Sequence, residues 1–95
     1  MSGNLTPIQV AERLIGKPEA LAVVSGYHPK SFYAFRQAAQ NRDAGDFGST
    51  RIQRALLAHS AAHGLGLTAD HLIWGASETE VSEILSLRQV KAEAA

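Results

Sequence analysis

Histidines, a pair of aspartates and several serines are the side chains that could carry chemistry in this 95-residue chain, and their spacing argues against each such use. His59 and His63 stand one helical turn apart and could share a metal ion, with His71 as a third ligand. No Glu follows His59 as the zinc-protease pattern requires, and no thiolate or further acidic ligand joins them, so no metal site is predicted. Asp43 and Asp46 lie three apart in a Gly-containing stretch, but a calcium loop needs more ligands at fixed spacing and a terminal Glu. They read as solvated turn carboxylates. Ser25, Ser31 and Ser60 have no His and Asp arranged to activate them. Gly64-Leu65-Gly66 follows no strand, so it reads as a helix stop and turn instead of a phosphate-binding loop. The chain is therefore expected to bind rather than to catalyse, and to carry no cofactor.

Composition points the same way. A 45% share of hydrophobic residues suits one compact domain with a modest core, and the absence of cysteine leaves packing alone to hold it. No run approaches the roughly 18 apolar residues of a membrane span, and the first residues lack the basic-then-apolar layout of a secretion signal. A cytoplasmic protein without a membrane partner is expected. Nine Lys+Arg balance nine Asp+Glu, which at first argues against nucleic acid. The balance is uneven along the chain: residues 1–54 hold seven cations against four anions (net +3), and residues 55–95 hold two against five (net −3).

The elements that must position any binding surface are helical. Alternating apolar and polar runs rich in β-branched residues are missing, so an all-α fold of five or six helices is predicted. Thr6-Pro7 opens a first helix that runs to about Ile15, with Ile8, Ala11, Leu14 and Ile15 on one face. Pro18 opens a second, with Glu19 at the positive end of its dipole and Gly26 as its stop. A third begins at His28-Pro29 and is predicted to reach about Gln40. Residues 41–49 have turn composition and form the one long loop. Ser49-Thr50 caps a fourth helix that stops at Gly64, and Thr68 caps a short fifth helix, Ala69 to Trp74, with Trp74 as a core plug over its end. Ser77-Glu78-Thr79-Glu80 reads as a capping box opening a sixth. On this last helix Val81, Ile84 and Leu85 form one stripe, with Leu87 and Val90 well outside it; the preferred reading is that the helix packs on the domain and frays after about Arg88, the alternative that Leu87 and Val90 meet a second subunit or another protein.

The informative stretch runs from Pro18 to Gln40. Two helices meet across a very short turn there, with the small Ala22 where they cross and Gly26, tolerant of positive φ, four residues later. Leu21, Tyr27, Phe32 and Phe35 supply apolar contacts that hold the second helix at a steep angle to the first. This segment, Pro18-Glu-Ala-Leu-Ala-Val-Val-Ser-Gly-Tyr-His-Pro-Lys-Ser-Phe-Tyr-Ala-Phe-Arg36, resembles the helix-turn-helix family of the phage Cro and CI repressor type. Leu67-Thr-Ala-Asp-His-Leu-Ile-Trp-Gly75 looks like the short closing helix common in CI-type domains. Arg51-Ile-Gln-Arg-Ala-Leu-Leu-Ala58 is similar to short regulators of phage and gene-transfer-agent clusters in alphaproteobacteria. The resemblance covers about residues 6–76.

It implies a DNA-binding domain over 1–76 and a C-terminal helix over 77–95, the latter available for a dimer or partner contact. In the family the second motif helix enters the major groove, and its first residues read base edges. Carried over residue by residue, that face offers His28, Lys30, Ser31, Tyr33, Ala34 and Gln37. Lys30 would donate to guanine or phosphate, Gln37 would pair with adenine, and Ala34 or Tyr33 would touch a thymine methyl. Lys17, Arg36, Arg42, Arg51 and Arg54 are the implied phosphate contacts. The implied partners are double-stranded DNA, a second copy of the chain, and a component of the transcription machinery. The alternative is a helical protein-interaction module that has lost DNA binding.

Overall fold

Local punctuation sets most of the architecture. The computed structural model describes residues 4–94 and contains six helices and a two-strand sheet among them. Helix α1 spans Pro7–Leu14. Its N-terminus is closed by a reciprocal pair in which the Thr6 hydroxyl accepts from the Gln9 amide and the Gln9 side chain accepts from the Thr6 amide. Helix α2, Pro18–Ser25, ends where Gly26 turns left-handed at φ +77°, and the Gly26 amide donates to the Ala22 carbonyl. Helix α3, Pro29–Phe35, follows after a three-residue turn and is capped by His28, whose Nδ1 accepts from the Lys30 amide at 3.0 Å.

Helix α3 stops five residues short of the predicted Gln40, and Arg42 explains why. A continuing helix would give the Ala34, Phe35 and Gln37 carbonyls to amides four residues on. Instead the Arg42 guanidinium donates to all three, at 3.3, 3.1 and 2.9 Å, and the Gly45 amide also takes the Phe35 carbonyl at 2.7 Å. The loop thus begins at residue 36 and folds back on α3, with Phe47 edge-on to Phe35 at 5.9 Å between centroids.

Helix α4, Thr50–His63, is capped by Ser49 and stopped by left-handed Gly64, and it buries Ile52, Leu56 and Ser60 along one face. The Ser60 hydroxyl accepts from the Leu67 amide at 2.9 Å, which satisfies both groups below the surface. His59 is half-buried at the edge of this face. Helix α5, Ala69–Trp74, opens with a second reciprocal cap, Thr68 with His71, and packs on α1. Trp74 does not plug the core: it is 75% exposed. A helix of six residues has one inward face, which His71 and Leu72 fill, and at 100° per residue Trp74 points about 160° away from Leu72.

Two short strands depart from the all-helical prediction. Strand β1, Asn4–Leu5, pairs antiparallel with β2, Ala76–Ser77, with Asn4 opposite Ser77 and Leu5 opposite Ala76. Helix α6, Glu78–Ala94, then begins. Only half of the predicted capping box forms, because the Ser77 hydroxyl accepts from the Glu80 amide while the Glu80 carboxylate turns to His71 at 2.7 Å. The helix also does not fray at Arg88. It continues to Ala94 through good helix formers, with Gln89 donating to Glu93 one turn on. Arg88 pins α6 to the end of α1 by donating to the Leu14 carbonyl at 2.8 Å, and Arg13 pairs with Glu78 at 2.9 Å.

The core lies where these helices converge: Ile8, Leu14, Leu21, Phe32, Ile52, Leu56 and Val81 are buried. The fold is thus a small all-α domain. Among the described residues no helix is long and apolar enough to cross a membrane.

Candidate nucleic-acid interface

Burial divides α3 into two faces. Phe32 is buried and Phe35 half-buried, so at 100° per residue Lys30 and Ala34 fall about 160° from Phe32 on either side and point away from the core. Both are exposed, as is Tyr33 on one flank, while Ser31 on the other is half-buried. Four of the six residues assigned to base reading therefore share one short helix. The other two differ in setting. His28 lies just before the helix with Nδ1 committed as a cap, and Gln37 lies beyond the helix end, its carbonyl bonded by Arg42. The sequence predicts Gln37 on the helix, but α3 ends at Phe35 and the Arg42 clamp takes Gln37 off that face.

The cations assigned to phosphate fall into two groups. Lys17, Arg51 and Arg54 are exposed and form no side-chain hydrogen bond or ion pair among the described residues. Lys17 precedes α2, Arg51 and Arg54 lie on α4, and Arg54 borders a notch shared with Leu57, Leu72 and Ile73. Lys30 is equally unpaired. Arg36 and Arg42 are engaged within the protein. Arg42 serves as the carbonyl clamp and stacks over Phe35 at 5.1 Å.

Arg36, at the end of α3, belongs to a chain of four side chains that sequence reasoning did not assemble. Its Nε and Nη2 both donate to Glu12 Oε2 on α1, at 3.0 and 2.9 Å. Its guanidinium lies 4.9 Å from the centre of the Tyr33 ring. The Tyr33 hydroxyl in turn donates to Glu19 Oε2 on α2 at 2.7 Å. That hydrogen bond lowers the Glu19 carboxyl below its usual range and raises the Tyr33 phenol above its own. Glu12 and Glu19 thus belong to the surface, although the only signal in the sequence was two acids in a basic segment, facing helices still to be placed.

The same segment places Val23 on α2 almost fully exposed. Ile73 and Trp74 form a second apolar exposure on α5, beside the α4–α5 notch of about 160 Å³. His59 and His63 bring their rings within 4.4 Å, but no group of three or more acidic, His or Cys side chains is placed to hold a metal ion among the described residues. What the geometry offers is a small polar surface: a lysine and an alanine outermost, a tyrosine fixed in orientation, and further cations on α2 and α4. Comparison of the chain with protein-family models, with curated proteins and with solved structures finds no match.

Proposed function

We propose that this chain binds double-stranded DNA sequence-specifically and regulates transcription, in the manner of short phage and gene-transfer-agent regulators, with α3 entering the major groove. The observation that carries the reading is the outward face of α3. Lys30 and Ala34 project from a seven-residue helix that a left-handed Gly26 sets directly after α2. A helix of that size fits a groove about 12 Å wide. Lys30 supplies a donor for guanine or phosphate, Ala34 or the Tyr33 ring an apolar contact for a thymine methyl, and Ser31 a hydroxyl for either groove edge or backbone. His28 presents the ring edge left free by its cap. Lys17, Arg51 and Arg54 remain as phosphate contacts, which position the protein without reading sequence. Under this reading the protein acts in the cytoplasm, and two copies form a symmetric dimer on a palindromic site, because one small module makes few base contacts. Its acidic C-terminal half then faces a second subunit or the transcription machinery.

Binding to a duplex selected from a random library tests the reading. Lys30→Ala lowers the preference for the selected site by about 1–3 kcal/mol without changing thermal unfolding. Lys17→Ala weakens binding to all duplexes alike. A chain that binds no duplex at low salt sinks the proposal. The exposed pair Ile73 and Trp74 supports a second reading, a protein-interaction module. Under that reading, Trp74→Ala abolishes partner capture and Lys30→Ala has no effect.

A further inference from the structure

The Glu12–Arg36–Tyr33–Glu19 chain joins α1, α3 and α2 across the surface assigned to DNA. A guanidinium holds a carboxylate and a phosphate with the same fork of donors, and Glu12 occupies the Nε–Nη2 edge of Arg36, one of the edges that a DNA phosphate would use. At 2.9 Å the pair lies inside the Debye length of about 8 Å at physiological ionic strength, so salt weakens it less than it weakens charges set further apart. The Glu12 side chain is also the less exposed partner, 20% against 43% for Arg36, so the guanidinium is the more open of the two to an arriving ligand. A phosphate arriving at Arg36 must displace Glu12 or lie beside its charge. Glu19 acts likewise on Tyr33, tying up the hydroxyl proton that would otherwise be offered to a phosphate oxygen.

We propose that Glu12 is a specificity-determining residue: by standing in for phosphate on Arg36 it suppresses sequence-blind binding and leaves recognition to the outward face of α3. The inference rests on the DNA-binding reading given above. It accounts for a basic half whose cations are partly cancelled at the recognition surface itself. Lys30, the residue that reads a base edge, is left unpaired, while Arg36 at the far end of the same helix is neutralised.

The test measures binding of the full chain to a random-sequence duplex and to a duplex selected by the wild type, across a range of salt. Each phosphate contact steepens the dependence of log K on log salt by about 0.9. Glu12→Gln, which frees Arg36, should steepen the random-duplex slope by that amount, so that the affinity ratio between 50 and 200 mM salt grows about 3.5-fold. Preference for the selected duplex should fall in parallel. Adding Arg36→Gln to Glu12→Gln should return the slope to that of the wild type. Arg36→Gln alone should leave the random-duplex slope unchanged, since the paired arginine contributes nothing to it, and this variant tests the proposal even if Glu12→Gln does not fold. An unchanged slope in folded Glu12→Gln, or a slope flattened by about 0.9 in Arg36→Gln, overturns it. A wild type that binds neither duplex refutes the DNA reading itself and the inference with it.

Discussion

Removing the Arg42 side chain should destabilise the protein without any ligand being present. One guanidinium donates to the carbonyls of Ala34, Phe35, Gln37 and Asp46, and it lies over the Phe35 ring. Only the bonds to Gln37 at 2.9 Å and Phe35 at 3.1 Å are short, and the side chain is half-buried, so water can replace the longer pair. Hydrogen bonds from a charged donor contribute about 1.5–3 kcal/mol each, and sharing one guanidinium reduces the sum, so Arg42→Ala should cost about 2–3 kcal/mol. For a domain of this size that corresponds to a fall in Tm of roughly 8–24 °C. Urea and thermal unfolding followed by helical circular dichroism read the change directly. Arg42→Lys separates geometry from charge, because an ammonium keeps the charge but cannot span carbonyls on both sides of a turn. It should recover less than half of the loss. Stability of Arg42→Ala within about 0.5 kcal/mol of wild type, the usual size of a neutral surface change, would refute the clamp. Full recovery in Arg42→Lys would show that charge alone matters.

Two further outcomes follow from positions far from Arg42. Gly75→Ala should cost at least about 2 kcal/mol, since Gly75 has φ +77° and a Cβ there would drive into the Leu5 carbonyl; hydrogen exchange should show the loss at Leu5 and Ala76 first. The Glu19–Tyr33 bond should register in two pH windows. Glu19 titrates below its usual range, so its contribution is present above the unfolded-state pKa and is lost as pH falls through the folded value. Tyr33 titrates above its usual range, so its contribution is present below the unfolded-state pKa and is lost as pH rises through the folded value. Alkaline ultraviolet titration, read as the difference between wild type and Tyr33→Phe, should find phenolate forming at lower pH in Glu19→Gln; coincident curves would remove Glu19 as the cause.

Most helix starts and stops were legible because they depend on neighbours in the chain. Thr6-Pro7, Pro18, Ser49 and Thr68 satisfy or dispense with free amides locally, and Gly26 and Gly64 end helices by their own backbone freedom. The end of α3 was not legible, because Ala38, Ala39 and Gln40 favour a helix and the competing donor sits on Arg42, across a turn not yet formed. Trp74 was misplaced for a related reason: a large apolar side chain suggests burial, but the inward positions of a one-and-a-half-turn helix belong to His71 and Leu72. The outward face of α3 was suggested by the helix-turn-helix resemblance, whereas no spacing or motif in the sequence suggested its carboxylate partners. Glu12 and Glu19 lie 24 and 14 residues from Arg36 and Tyr33, and only the packing of α1 and α2 on α3 brings them together.

The pairing of β1 with β2 bears on how the protein opens. A strand of two residues ordinarily opens easily, since few hydrogen bonds hold it. Here Leu5 is held by Ala76, which leads directly into the helix that Arg88 fastens to the end of α1. The chain between these strands is a ring with a clasp, and both halves of the clasp are needed to keep the first turn of α1 in place. Local loosening at residue 5 is therefore tied to loosening at residue 76, and the two should exchange as one cooperative unit, although 71 residues of chain separate them.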